Sequence, residues 1–305
     1  MHSSQREEWE VEVVDPRTKR ISNAFGLIGS LLAALASGCA AHAPPRSVSD
    51  LEDRESGVVA VATSHDENSP SVTLCSGALV APNLILTARH CVSKATTTMP
   101  SCDADGHTHN GPHFAEDADP SAISIYVGSK VRMDTDQPRA HAIQVLHPAG
   151  RVLCDADVAY VVLDRPLEGV RSLPVRLSSP VETGDYVLPV GFGGGLANLI
   201  GEKHSRDRSR ILAVGPTSNA ATGAVLGPRE FEVAIATCRG DSGGPAIDVR
   251  TGEVVGVISR GGSCTASGNH VYTRVDSYKR LATVAFRTSE QVLRTQIAST
   301  EWTER

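Results

Sequence analysis

Cys238-Arg239-Gly240-Asp241-Ser242-Gly243-Gly244-Pro245 is the stretch on which the rest of the chain is read. A serine stands between glycines, with an acid directly before it and a cysteine four residues upstream. Glycine has no Cβ, so the backbone can adopt positive φ and turn successive N–H groups toward one point. A hydroxyl beside convergent N–H groups is what acyl transfer requires, a nucleophile next to an oxyanion hole. The candidate nucleophile is Ser242, and the candidate oxyanion donors are the N–H groups of Gly240 and Ser242.

A serine hydroxyl is a weak nucleophile and needs a base, itself oriented by a carboxylate. Leu86-Thr87-Ala88-Arg89-His90-Cys91 is a β-like run ending on a histidine, and Asp157-Val158-Ala159-Tyr160-Val161-Val162-Leu163 places an acid at the mouth of an apolar strand. The order His90, Asp157, Ser242 is one of the known triad orders. The T-A-x-H-C, D-x-A and G-D-S-G-G-P stretches, in this order, resemble the trypsin/chymotrypsin-like serine proteases, from about Val58 to Phe286. The nucleophile elbow of the α/β-hydrolases is the rival reading of the serine loop. That fold places its acid and histidine after the serine, where Asp248 or Asp276 with His270 crowd too close for a doubly wound sheet.

The 305 residues, 40% hydrophobic, suffice for a packed core, while 4% aromatics leave Val, Ala, Ile and Leu to fill it. A net charge of −6 argues against a general nucleic-acid binder. Arg17, Lys19 and Arg20 precede an apolar run, Phe25 to Leu35, too short for a spanning helix, and small residues follow. That layout is a secretory signal. Ala36-Ser37-Gly38-Cys39 resembles a bacterial lipobox, so residues 1–39 are expected to form an export segment, with Cys39 lipidated or discarded on cleavage. Of seven cysteines, removing Cys39 leaves six to pair. The protein is therefore expected outside the cytoplasm, lipid-anchored to the cell envelope or secreted, touching a membrane only through that anchor.

Residues 40–56 read as a linker or pro-segment, 57–287 as the protease-like domain and 288–305 as a tail. Short runs at Val58–Ala62, Ser71–Cys75, Ala78–Val80, Leu84–Leu86, Ile123–Gly128, Ala142–Leu146 and Val187–Gly193 read as strands, with a helix after Asp276. Many short strands and one late helix suggest an all-β protein. With the resemblance, they imply two antiparallel six-stranded β-barrels with the triad in the cleft between them. Residues 93–121 form a polar insertion carrying Asp103, Asp105, His107, His109 and His113. Its spacing matches no fixed ligand motif, so a solvated loop is expected and no metal or other cofactor. Lys203 to Arg210 is expected as an exposed, protease-sensitive loop.

The resemblance implies disulfides Cys75–Cys91, Cys102–Cys154 and Cys238–Cys264. It implies that Ser259 lines the cleft beside the aspartate, and that Ala236, Gly261 and His270 line the primary pocket. Ala236 holds the position where a basic specificity requires an acid, so a neutral or acidic P1 side chain is expected. Arg260 stands where relatives commonly have Trp, and His147 before Pro148 reads as structural. Such enzymes often pair the acid before the serine with a newly exposed N-terminal amine, yet nothing in residues 44–57 reads as that N-terminus. The function implied is an exported, monomeric serine endopeptidase acting on proteins or peptides. Its alternatives are an inert or conditionally active protease-like binding protein and an esterase on the same scaffold.

Overall fold

A computed structural model describes residues 11–14, 55–65, 72–97, 100–194, 200–234, 237–261 and 268–303. The elements are β1 (Val11–Val14), β2 (Val58–Ser64), β3 (Val72–Ala81), β4 (Leu84–Thr87), β5 (Ser93–Ala95), β6 (Phe114–Asp117), β7 (Ile123–Tyr126), β8 (Ala140–Pro148) and β9 (Ala159–Leu163). They continue as β10 (Tyr186–Gly191), β11 (His204–Ser205), β12 (Ser209–Val214), β13 (Thr217–Asn219), β14 (Ala224–Leu226), β15 (Glu230–Val233), β16 (Pro245–Asp248), β17 (Val254–Arg260), β18 (His270–Arg274) and helix α1 (Lys279–Thr303).

All ladders within the two large sheets are antiparallel, and each sheet closes on itself. In the first, the order β8-β7-β2-β3-β4-β9 is closed by pairing of β8 with β9; in the second, β10-β12-β15-β18-β17-β16 is closed by β10 with β16. The fold is thus two six-stranded barrels with one C-terminal helix, as the sequence implied. β1 adds to the first barrel along β8, from Val11 opposite Pro148 to Val14 opposite Val145, although it lies within the expected export segment. Cys39 lies outside the described residues. No helix among the described residues is long and apolar enough to cross a membrane.

Valine and alanine do the filling that scarce aromatics cannot. Val58, Val59, Ala60 and Val61 are fully buried along β2, and Val158 to Leu163 are fully buried into and along β9. This core is continuous with Val190, Phe192, Ile247 and Val257 of the second barrel and with Tyr278, Leu281 and Ala285 at the helix end, so the barrels and helix share one interior. The second barrel keeps a smaller core of its own, where Phe231 stacks on Tyr272 with centroids 5.2 Å apart.

Two expectations are corrected. The runs Ser71–Cys75 and Ala78–Val80 are one strand, because pairing with β2 continues through Ser76 and Gly77. The helix expected after Asp276 runs from Lys279 to Thr303, and Ser289 hydrogen-bonds both the side-chain oxygen and nitrogen of buried Asn83. The run from Lys203 to Arg210 is not simply exposed: His204 and Ser205 form a strand, Lys203 Nζ donates to the carbonyls of Glu55 and Val58 at 3.0 Å, and Ser209 is buried.

Candidate active site

His90 sits in a single 3-10 turn, Arg89–Cys91, directly after β4. Two attachments fix that turn. Cys91 is bonded to Cys75 on β3, and Arg89, 2% exposed, donates to the carbonyl of Pro148 at 2.9 Å and lies over the Phe114 ring. Asp157 waits one residue before the apolar run that becomes β9, fully buried. Its Oδ1 accepts the His90 backbone N–H at 2.9 Å, and its Oδ2 stands 2.8 Å from His90 Nδ1. The Ser259 hydroxyl donates to the same Oδ2 at 2.6 Å.

These contacts govern both titrations. Burial alone pulls the His90 pKa down, but the Asp157 charge and hydrogen bond outweigh it and hold the imidazole above its ordinary value. Burial alone raises the Asp157 pKa, but the charge and hydrogen bonds of His90 with the Ser259 hydroxyl outweigh it and hold the carboxyl below its ordinary value. The imidazolium and carboxylate forms therefore support each other.

Ser242 and His90 line one cavity of about 390 Å³ together with Ser259, Gly261 and Thr237. Among the described residues no hydrogen bond joins the Ser242 hydroxyl to His90. Such bonds are often long before substrate arrives. The N–H groups of Gly240 and Ser242 likewise donate to no protein acceptor among the described residues, whereas those of Asp241, Gly243 and Gly244 are all taken. Among the described residues both N–H groups are therefore left without a protein acceptor, and Gly240 sits at φ 102°.

The sequence reading missed what holds this loop. Ser76, fully buried on β3, donates from Oγ to the carbonyl of Gly240 at 2.7 Å and accepts the N–H of Phe192 at 2.9 Å; its own N–H donates to the carbonyl of Ser242 at 2.7 Å. The first barrel thereby pins the loop of the second. Gly191-Phe192-Gly193 also acquires a reason: a Cβ on Gly193 would lie 2.5 Å from the Asp241 carboxyl carbon, and one on Gly191 would strike its Oδ1. Those glycines admit the Asp241 carboxylate.

Of the expected pocket residues, Gly261 and Ser259 line the cavity, while Ala236 lies outside the described residues. His270 is fully buried behind them, its Nδ1 accepting the Thr237 N–H at 3.3 Å and lying 3.2 Å from the Thr237 hydroxyl. Arg260 lines the cavity, and its guanidinium is held on buried Glu230 at 2.5 Å and 2.8 Å. Bonds Cys75–Cys91 and Cys102–Cys154 are formed. Cys238 is disulfide-bonded, and its expected partner Cys264 lies outside the described residues.

The insertion is less solvated than its composition suggests. His113 is buried, accepts the N–H of Leu153 at 3.0 Å and lines the cavity. Asp117 accepts the Ser93 hydroxyl at 2.6 Å and lies 3.3 Å from fully buried His147, which is structural as expected. Asp103, Asp105 and His107 bring possible ligand atoms within 4.8 Å of one another. Asp103 Oδ1 already accepts the N–H groups of Asp105 and His107, which accounts for that turn.

Residues 52–282 match the family model described as Trypsin. Snake venom serine protease serpentokallikrein-1 of Protobothrops mucrosquamatus is 26% identical over 223 residues, 66% of this chain and 73% of that protein. The scabies mite inactivated protease paralogue S-I1 has a TM-score of 0.55 at 20% identity, with 77% of this chain and 96% of that one covered. The thermostable serine protease AL20, from an extremophilic microorganism, has 0.53 at 14% identity, with 77% and 99% covered. At those identities the two structures speak for the fold. With the family model matched from residue 52 to residue 282 and two closed barrels meeting at His90, Asp157 and Ser242, the chain belongs to the trypsin family of serine proteases.

Proposed function

We propose that the chain is an exported serine endopeptidase that cleaves peptide bonds through an acyl-enzyme formed on Ser242. The observation carrying this reading is the buried Asp157–His90 hydrogen bond of 2.8 Å opening onto the same cavity as the Ser242 hydroxyl. Asp157 fixes the Nδ1–H tautomer, leaving Nε2 as the base. The Ser242 oxygen attacks the scissile carbonyl as His90 takes its proton, and the free N–H groups of Gly240 and Ser242 receive the negative oxygen. His90 then returns the proton to the departing amine, and a water molecule repeats the sequence to release the acid.

The pocket supports a neutral or acidic P1 side chain. Among the described residues no Asp or Glu lines the cavity, whose wall carries Thr237, Gly261, His113 and Arg260 instead. Cleavage of a peptide library reads this directly, and a strong Lys or Arg preference overturns it. Export is supported by the disulfides, which persist in oxidising compartments. N-terminal mass analysis of the mature protein distinguishes a lipidated Cys39 from a released chain.

The decisive experiment is labelling with a fluorophosphonate probe, followed by Ser242→Ala. Labelling of the wild type at Ser242 is expected, with turnover in the variant reduced by roughly 10⁴-fold or more and the fold intact. Absence of labelling, or hydrolysis unchanged in the variant, removes the reading. An esterase on the same scaffold labels equally and is separated by its failure to cleave peptides.

A further inference from the structure

Asp241, the acid before Ser242, is 1% exposed. A carboxylate buried there is costly unless charge and hydrogen bonds offset its lost hydration. Its Oδ1 accepts the N–H of Gly193 at 2.8 Å, and its Oδ2 accepts the N–H of Cys238 at 2.8 Å. The remaining donor is the Arg206 guanidinium, whose Nη2 reaches Oδ2 at 2.7 Å. His204 Nε2 stands 3.7 Å from Oδ1. The side chains of Arg206 and Asp241 are 18% and 2% exposed, so water screens the pair little.

Arg206 is held where it is needed. β11 pairs with β10, Ser205 opposite Val190 and His204 opposite Gly191, and the Arg206 N–H donates to the carbonyl of Pro189 at 2.8 Å. The guanidinium is thus delivered from a ladder rather than from a swinging tip. The carboxylate it meets fills the space left by Gly191 and Gly193.

We propose that Arg206 is the resident counter-cation of Asp241 and that it holds residues 238–242 in the arrangement that frees the Gly240 and Ser242 N–H groups, so that this arrangement needs no newly exposed α-amine. Arg206 is a positioning residue: it acts on the oxyanion donors through Asp241. Its consequence for catalysis rests on the hydrolase reading above; its consequence for the loop does not.

The test uses the full chain and two readouts, amide hydrogen exchange of the peptide spanning 237–244 and the rate at which a fluorophosphonate phosphonylates Ser242 with loss of fluoride. Arg206→Ala is expected to speed exchange of that peptide at least about tenfold while the other strands of both barrels stay protected. It is expected to slow phosphonylation of Ser242 roughly 10²-fold, the loss typical of one misplaced oxyanion donor, expressed in the inactivation rate constant more than in the probe's binding constant. Arg206→Lys should recover much of both. Exchange of the loop at the wild-type rate in Arg206→Ala overturns the proposal, as does a loosened loop that Lys fails to restore. A wild type that does not react, with a loop that still loosens in Arg206→Ala, sinks the hydrolase reading and leaves the counter-cation standing; a wild type that reacts, with an Arg206→Ala that reacts as fast, leaves the hydrolase reading standing and overturns the proposed hold on the oxyanion donors. Should Arg206→Ala not fold, the wild type with its α-amine acetylated decides: unchanged protection of the loop supports the proposal, and loosening overturns it.

Discussion

The Asp157 carboxylate accepts three hydrogen bonds, two of them from His90, with no exposed surface. Asp157→Asn substitutes a side chain that presents an N–H₂ toward His90 Nδ1 and so favours the wrong tautomer. A loss of about 10⁴-fold in kcat is expected, the size serine-protease triads show for this change. The pH dependence has a definite sign. Burial lowers the His90 pKa, the Asp157 charge and hydrogen bond raise it, and the net value lies above 6.5. Catalysis needs the neutral imidazole, so kcat/KM of the wild type rises with pH through that elevated value. Removing the charge leaves burial acting alone, and the acid limb of the residual activity should move to lower pH. A limb that stays in place would show that Asp157 does not set the His90 titration.

At the scale of elements, the loop 238–244 is braced from the first barrel by β3 and from the second by the end of β10. The Ser76 hydroxyl satisfies two backbone groups, the carbonyl of Gly240 and the N–H of Phe192, inside a closed interface. Ser76→Ala orphans both. Leaving one buried group unpaired costs about 1–3 kcal/mol, so a loss of about 2 kcal/mol or more is expected in urea unfolding. Acylation of Ser242 should slow as well, because the Gly240 carbonyl is no longer anchored and Gly240 itself bears one of the two proposed oxyanion donors on its N–H. Full stability in this variant would mean that another donor covers the Gly240 carbonyl.

Across the whole molecule, one apolar interior joins the first barrel to strands of the second and to the helix, so cleft geometry and global stability are coupled. Cys102–Cys154 spans 52 residues and ties the insertion to the segment leading into Asp157. On the chain-entropy account a loop of that length contributes about 4 kcal/mol. Replacing both cysteines by serine should lower the unfolding midpoint and raise KM more than it lowers kcat, since the insertion lines the cleft but bears none of the reacting groups. An unchanged KM would detach the insertion from substrate binding.

What could be read from the chain was local chemistry with a short repeat. Runs such as Val158 to Leu163 announce strands because a short, continuous, β-branched apolar run needs cover on both faces, and G-D-S-G-G announces a special backbone because few other residues permit it. His90 and Asp157 could be named from the stretches around them, and the structure brings them into direct contact. The roles of Ser76 and Arg206 were not legible. A lone serine within an apolar strand carries no mark of the loop it holds. The Lys203 to Arg210 run has the composition of an exposed loop, and nothing in its spacing identifies an acid 35 positions away as the partner of one arginine. Composition and periodicity determine which segments become strands and which side chains can do chemistry. Which buried charge meets which, and which hydroxyl closes an interface, is decided when the barrels pack, because Coulomb and hydrogen-bond energies depend on distances that only the folded chain defines.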